Sequence, residues 1–233
     1  METLAKVKPS AATPEELLGP LNDVERKFAP SKLYVAGDVG ILRAAPRAAI
    51  IGTRKASPGA LQAAGDLAKA LAKNGVVIVS GLAEGIDTAA HKAAIEAGGR
   101  TIAVLGTPLD RVYPARNFEL QQLIMREHLA MTQFPTGHPV QRRNFPLRNR
   151  TMALIANASI IVEAGNTSGS LHQGWEALRL GRPLFIWKSL AEDASLTWTR
   201  EMRRYGAMVL SDPGEVIEVL PAPNAVIHVN ALP

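Results

Sequence analysis

Apolar runs and helically spaced apolar positions alternate along most of this chain. Residues 48–51, 76–79, 101–105, 129–133, 159–162 and 183–187 are short stretches with few polar interruptions, the pattern of parallel strands covered on both faces. Weaker strands are predicted at 32–39 and 207–210. Between them the period changes. Leu61, Ala64, Leu67, Ala68, Leu71 and Ala72 recur at helical spacing after Ser57, a natural N-cap, and Pro58, which suits the first helical position, until Gly75 stops the run. Further helices are predicted near 88–97, 118–128, 147–157, 170–180 and 197–205. Strands and helices alternating over roughly 170 residues imply an α/β fold: an extended Rossmann-like, doubly wound and mostly parallel sheet with helices on both faces, ligands binding beyond the carboxyl ends of the strands. Residues 1–30, with a helix start at Thr13-Pro14, read as an N-terminal extension, 31–220 as the domain, and 221–233 as a tail.

Four turns follow core strands directly and are expected to meet at that edge: 52–55, 80–87, 106–108 and 163–170. The organising stretch is 76–91, VVIVSGLAEGIDTAAH, where a strand breaks at Ser80-Gly81 and restarts as a helix after Gly85. Glycines let backbone N–H groups approach a ligand, and a helix start favours anions. The same spacing also suits a plain strand-to-helix connection, because G-x-x-x-G lacks the third glycine of the dinucleotide fingerprint. Gly52-Thr53-Arg54-Lys55 offers a glycine, a hydroxyl and two cations for a phosphate. Ser168-Gly169-Ser170 suits backbone contact with an anion or nucleoside, and Glu163 before it reads either as a ribose or base ligand or as a cap for the following helix.

The run QRRNFPLRNR, 141–150, is the strongest basic patch: Arg142, Arg143, Arg148 and Arg150 stand with Phe145, Pro146 and Asn149 and no acid. Arginines bond phosphate and stack on bases, as single-stranded nucleic-acid grooves require, and Phe145 reads either as a stacking face in such a groove or, preferred from the residues alone, as a core anchor at a helix entry. A second cluster, Arg200, Arg203 and Arg204, lies on a predicted helix with Trp198 and Tyr205, whose rings are assigned to core or subunit contacts.

Composition narrows the chemistry. The absence of cysteine removes disulfides, thiolate catalysis and cysteine-based zinc sites. Five histidines are scattered without a metal-binding or triad pattern, and Asp87 and His91, four apart on one helix, read as a cap and a packing residue. No catalytic set, metal or cofactor is expected. A net charge of +5 and a pI near 9.7 are compatible with a polyanionic partner. No apolar run approaches the roughly 20 residues needed to span a bilayer, so a cytoplasmic protein without membrane contact is expected.

In order and spacing, the blocks AIIGTRKAS (49–57), VVIVSGLAEGIDTAAHKAAIEAGGRTIAVLGTPLDRVYP (76–114), NFPLRNRTMALIANASIIVEAGNTSGSL (144–171) and Gly181-Arg182-Pro183 resemble the DNA-processing protein A family, also called DprA or Smf. The resemblance spans about 31–220. It implies a sequence-tolerant single-stranded DNA-binding protein of DNA recombination and natural transformation that breaks no bond, forms a homodimer and hands its strand to a RecA-type recombinase. It places Arg54, Arg148 and Arg150 in the DNA pocket, with Ser80 and Gly81 giving backbone contacts. Three departures stand out: Glu84 where the family usually has arginine, residues 186–198 where it has a Val-Pro-Gly turn and later a Gly-Asn pair, and no N-terminal helical or C-terminal winged-helix domain in this sequence. Two other readings of the same fold are a nucleotide sensor or nucleotide-processing enzyme, motivated by Glu84, Glu163 and 167–170, and a pure interaction module.

Overall fold

The computed structural model describes residues 9–222, so the first eight residues of the expected extension and all but two of the expected tail lie outside the described residues. The described chain runs β1 (Ser10–Ala12), α1 (Pro14–Leu18), α2 (Asp23–Phe28), β2 (Leu33–Gly37), α3 (Ile41–Ala44), β3 (Arg47–Gly52), α4 (Pro58–Lys73), β4 (Val77–Ser80), α5 (Ile86–Glu96) and β5 (Thr101–Val104). It continues through a 3-10 turn (Ala115–Asn117), α6 (Phe118–Glu127), β6 (Leu129–Thr132), α7 (Asn144–Ile155), β7 (Ala158–Glu163), α8 (Ser170–Arg179) and β8 (Leu184–Trp187). Last come α9 (Lys188–Glu192), α10 (Thr197–Arg204), β9 (Met208–Leu210) and α11 (Pro213–Val219).

These strands form one sheet in the order β1-β2-β6-β5-β4-β3-β7-β8-β9. From β6 to β9 every pairing is parallel, whereas β2 joins β6, and β1 joins β2, antiparallel. The chain therefore steps outward from β3 through β4 and β5 to β6, then returns to lay β7 on the other side of β3. That reversal is the topological switch point, where the two following connections diverge and leave a crevice.

Side-chain alternation divides the core between the two faces. Ala49 and Ile51 point into one layer with Val79, Ile102, Met152 and Ile155, while Ala48 and Ile50 point into the other with Ile78, Leu67, Leu71 and Ile86. The α4 start is as expected: the Ser57 hydroxyl accepts the Ala60 N–H at 3.2 Å, with Pro58 next.

Three local differences from the sequence expectation bear on the site. Helix α5 starts at Ile86, with Gly85 as N-cap, because Asp87 turns back to the preceding loop instead of capping. Helix α7 starts at Asn144, ahead of the expected 147, so Phe145 and Pro146 fall in its first turn, where proline costs no helical hydrogen bond. Residues 10–28 are built onto the sheet: β1 extends its edge, Leu17 and Leu21 are buried, and Glu25 pairs with Arg182.

Candidate functional site: a basic cleft at the switch point

The four turns do converge. A cleft of about 430 Å³ opens between β3 and β7, walled by Gly52 to Lys55 on one side and Thr167 to Ser170 on the other, with Phe145, Arg148 and Asn149 of α7 between them. A side recess of about 90 Å³ continues past Arg54 and Phe145 to Gly81, Glu84, Gly106 and Tyr113.

The floor is built by Arg148. Its side chain is buried, and Nη1 donates both to the Gly81 carbonyl and, at 2.8 Å, to the Val104 carbonyl, while Nε donates to Asn149 Oδ1 at 2.9 Å. Asn149 in turn donates to the Gly169 carbonyl at 3.0 Å. One arginine thus joins the ends of β4 and β5 to α7, and Asn149 adds the turn before α8. A Cβ on Gly81 would sit 1.8 Å from Arg148 Nη1, so position 81 must be glycine for this guanidinium to lie where it does. Burial lowers the Arg148 pKa from its ordinary value, with Asp87 opposing that shift.

Asp87 completes the floor from below. Its carboxylate accepts the N–H groups of Gly81 at 3.1 Å and Ala83 at 3.3 Å. Burial pushes its pKa up, against the pull of Arg148 and these hydrogen bonds. The Ser80 hydroxyl donates to the Ile50 carbonyl at 2.7 Å and is wholly buried. The polar groups of Ser80 and Gly81 expected to reach a ligand are therefore spent inside the protein, because the turn folds back over a buried acid.

The charge that faces the opening sits elsewhere. Arg54 and Lys55 are exposed, and their side chains make no hydrogen bond or ion pair with the described residues. The Arg54 guanidinium instead lies over two rings, 5.2 Å from the Phe145 centroid and 5.9 Å from that of Tyr113, which themselves stand 5.5 Å apart at 52°. Phe145 is half-buried and packs over Gly106 as a wall of the recess, where the sequence offered a stacking face or a core anchor. Tyr113, 48% exposed, was missed on sequence; its position after the β5 turn is fixed only by the fold. Arg142 and Arg143 are exposed at the entry to α7, with side chains unpaired among the described residues.

Arg150 goes the other way. Two residues on from Arg148, it points across to α8, bonding Glu176 at 3.2 Å and covering the Phe28 ring at 5.4 Å, and it does not line the cleft. A two-residue step turns about 200° around a helix, so the two arginines cannot share a face. Ser168 and Ser170 line the cleft with their hydroxyls 2.7 Å apart, and Gly169 stands between them. Glu163 does cap a helix, but the neighbouring α4: its carboxylate accepts the Ser57 N–H at 2.9 Å. Glu84 pairs with Arg116 at 3.2 Å. Both acids that suggested a nucleotide ligand are thus engaged.

His91 is buried and its Nδ1 lies 2.7 Å from the Thr101 hydroxyl, which donates to the Ile78 carbonyl. Burial is the main cause that pulls its pKa down to about 3. It is a neutral core histidine, out of reach of the cleft. Among the described residues, no group of acids and histidines is placed to hold a metal ion, and no helix is long and apolar enough to cross a membrane.

Residues 14–221 match the family model described as DNA recombination-mediator protein A. The chain belongs to that family. The DNA processing protein DprA of Streptococcus pneumoniae is 36% identical over 189 residues, which are 81% of this chain and 66% of that protein, so the chain spans just under two thirds of this relative. The X-ray structure of DNA processing protein A from the same organism superposes with a TM-score of 0.79 at 32% identity, covering 92% of this chain and 75% of that one. The Helicobacter pylori DNA processing protein A, solved in a study of its single-stranded DNA binding mode, gives a TM-score of 0.78 at 28% identity over 91% of this chain and 95% of that one. The recombination-mediator family thus accounts for both the sequence blocks and the Rossmann-like sheet. In this chain the floor rests on Gly81, Asp87 and Arg148, and Glu84 pairs with Arg116 at the rim.

Proposed function

We propose that this protein binds single-stranded DNA without sequence preference in the switch-point cleft, and acts in DNA processing and recombination by holding and handing over a strand. The observation that carries the reading is the set of cations without ion pairs at the mouth beside aromatic rings: Arg54 and Lys55, with Phe145 and Tyr113 under the Arg54 guanidinium. Cations track a phosphate backbone and rings stack on bases of any identity, which gives sequence-tolerant binding to unpaired strands. Single-stranded DNA binding by the Helicobacter relative supports the same ligand class. The family resemblance extends the proposal to a homodimer and to a RecA-type recombinase as recipient, with no bond broken at the cleft.

In this reading the site residues divide into two groups. Arg54, Lys55, Arg142, Arg143, Phe145 and the Ser168-Gly169-Ser170 turn meet DNA, while Ser80, Gly81, Arg148 and Asn149 hold the floor that positions them.

A salt titration of binding to single- and double-stranded oligonucleotides tests this. The single strand is expected to bind more tightly, with affinity falling as salt rises. Arg54→Ala should weaken binding about tenfold, the scale of one charge-assisted hydrogen bond, and reduce the salt slope by about 0.7 for a lost phosphate contact. Equal affinity of Arg54→Ala and the parent protein would reject the cleft as the DNA site.

A further inference from the structure

The cleft does not account for the second basic cluster. In α10, Trp198, Thr199 and Met202 turn inward, which leaves Arg200, Arg203 and Arg204 on the outer face, all exposed and free of hydrogen bonds or ion pairs with the described residues. Glu201 is the one acid in this helix and is also exposed, so the face keeps a clear positive excess. Tyr205, at the end of α10, is 68% exposed. Its ring meets the half-buried Trp175 of α8 edge-on, with centroids 5.4 Å apart.

This face is joined to the cleft by two links. Helix α8 begins at the cleft, where Ser170 and His172 are lining residues, and Trp175 lies one helical turn beyond His172 on a neighbouring line of the helix. Asn166, in the turn that leads to the cleft wall, donates to the Ser195 carbonyl just before α10 at 3.1 Å. Cleft edge, aromatic pair and arginines therefore follow one another along the surface.

We propose that the Trp175–Tyr205 pair and the α10 arginines form a second segment of the strand-binding track, contacting single-stranded DNA that leaves the cleft past α8. The inference rests on the cleft being the primary DNA site. The occupant follows from charge and shape: an exposed ring beside unpaired arginines offers the stacking and backbone neutralisation that a flexible polyanion uses, and duplex DNA would not present unstacked bases to Tyr205.

The test compares oligonucleotides of about 6 and about 25 nucleotides, the shorter near the lower end of the site sizes of single-strand-binding folds. The parent protein should bind the longer one more tightly and with a steeper salt dependence. The triple variant Arg200→Ala/Arg203→Ala/Arg204→Ala should retain short-strand affinity, lose about tenfold or more on the long strand, and lose about 2 units of salt slope for three phosphates at about 0.7 each. Tryptophan fluorescence should be quenched by the long strand alone, and Trp175→Phe should remove that quenching. Unchanged long-strand binding by the triple variant would overturn the proposal. So would a loss accompanied by dissociation of an oligomer in sedimentation, which would assign the face to a second copy of the chain. If the parent bound neither strand, the cleft reading itself would fall; normal short-strand binding with no gain on the long strand would reject only the extension.

Discussion

At the scale of single residues, two arginines of the cleft, one in the turn after β3 and one in α7, do opposite work. Arg54 is exposed and rests only on rings; Arg148 is buried and engaged by two carbonyls and Asn149. Replacing Arg54 by alanine should therefore leave stability within about 0.5 kcal/mol. Replacing Arg148 should destabilise by about 3 kcal/mol, since buried carbonyl acceptors lose their donor and the buried Asp87 loses a compensating charge. Urea unfolding of the two variants beside the parent measures the difference, and any loss of DNA binding in Arg148→Ala should track the unfolded fraction. His91 sets an acid limb. With a folded pKa of about 3 against an unfolded value near 6.5, the unfolded state binds more protons between those values, so stability falls as pH drops from about 6.5 towards 3. The slope contributed is at most about 1.4 kcal/mol per pH unit. His128 and His172, also lowered by burial, act in the same direction, and Asp87, raised by burial, acts in the opposite one. His91→Gln should flatten the pH dependence of urea midpoints between pH 6 and 4 by that single contribution (roughly).

At the scale of elements, the site depends on two strand-to-helix turns approaching closely. Gly85 has φ of +76°, and a Cβ there would lie 2.4 Å from the Thr53 carbonyl oxygen. Gly85→Ala should cost about 2 kcal/mol or more in strain and push the Thr53-Arg54 turn away, weakening DNA binding together with thermal stability. The elements themselves were legible because each strand from β3 to β8 is a short, largely apolar run and α4 carries an apolar stripe between its caps. Less visible were β1 and the antiparallel entry of β2, since strand direction is set by pairing with β6 rather than by side-chain pattern. In the site, the convergence of four turns could be read from their positions after core strands. The fate of Arg148 could not, because residues 151–155 of α7 are buried all round and no apolar stripe marks which side of the helix meets the cleft.

At the scale of the whole molecule, residues 10–28 belong to the packing of the sheet. Leu17 and Leu21 are buried, and Glu25, 7% exposed, pairs with Arg182. Removing residues 1–30 should cost about 4 kcal/mol from the two leucines alone, at about 2 kcal/mol each, and should be seen as a lower urea midpoint or loss of soluble protein. The Arg148 lock has a consequence in time as well as in space. Its two carbonyl bonds close spans of 67 and 44 residues along the chain. Contacts so distant in sequence are gained only after the intervening chain has surrendered its freedom, whereas α4, β4 and α5 meet as near neighbours. Conservative core substitutions between α4 and α5 should accordingly slow folding, and Arg148→Lys should chiefly speed unfolding, so that the switch-point cleft is the last part of the molecule to assemble and the first to come apart.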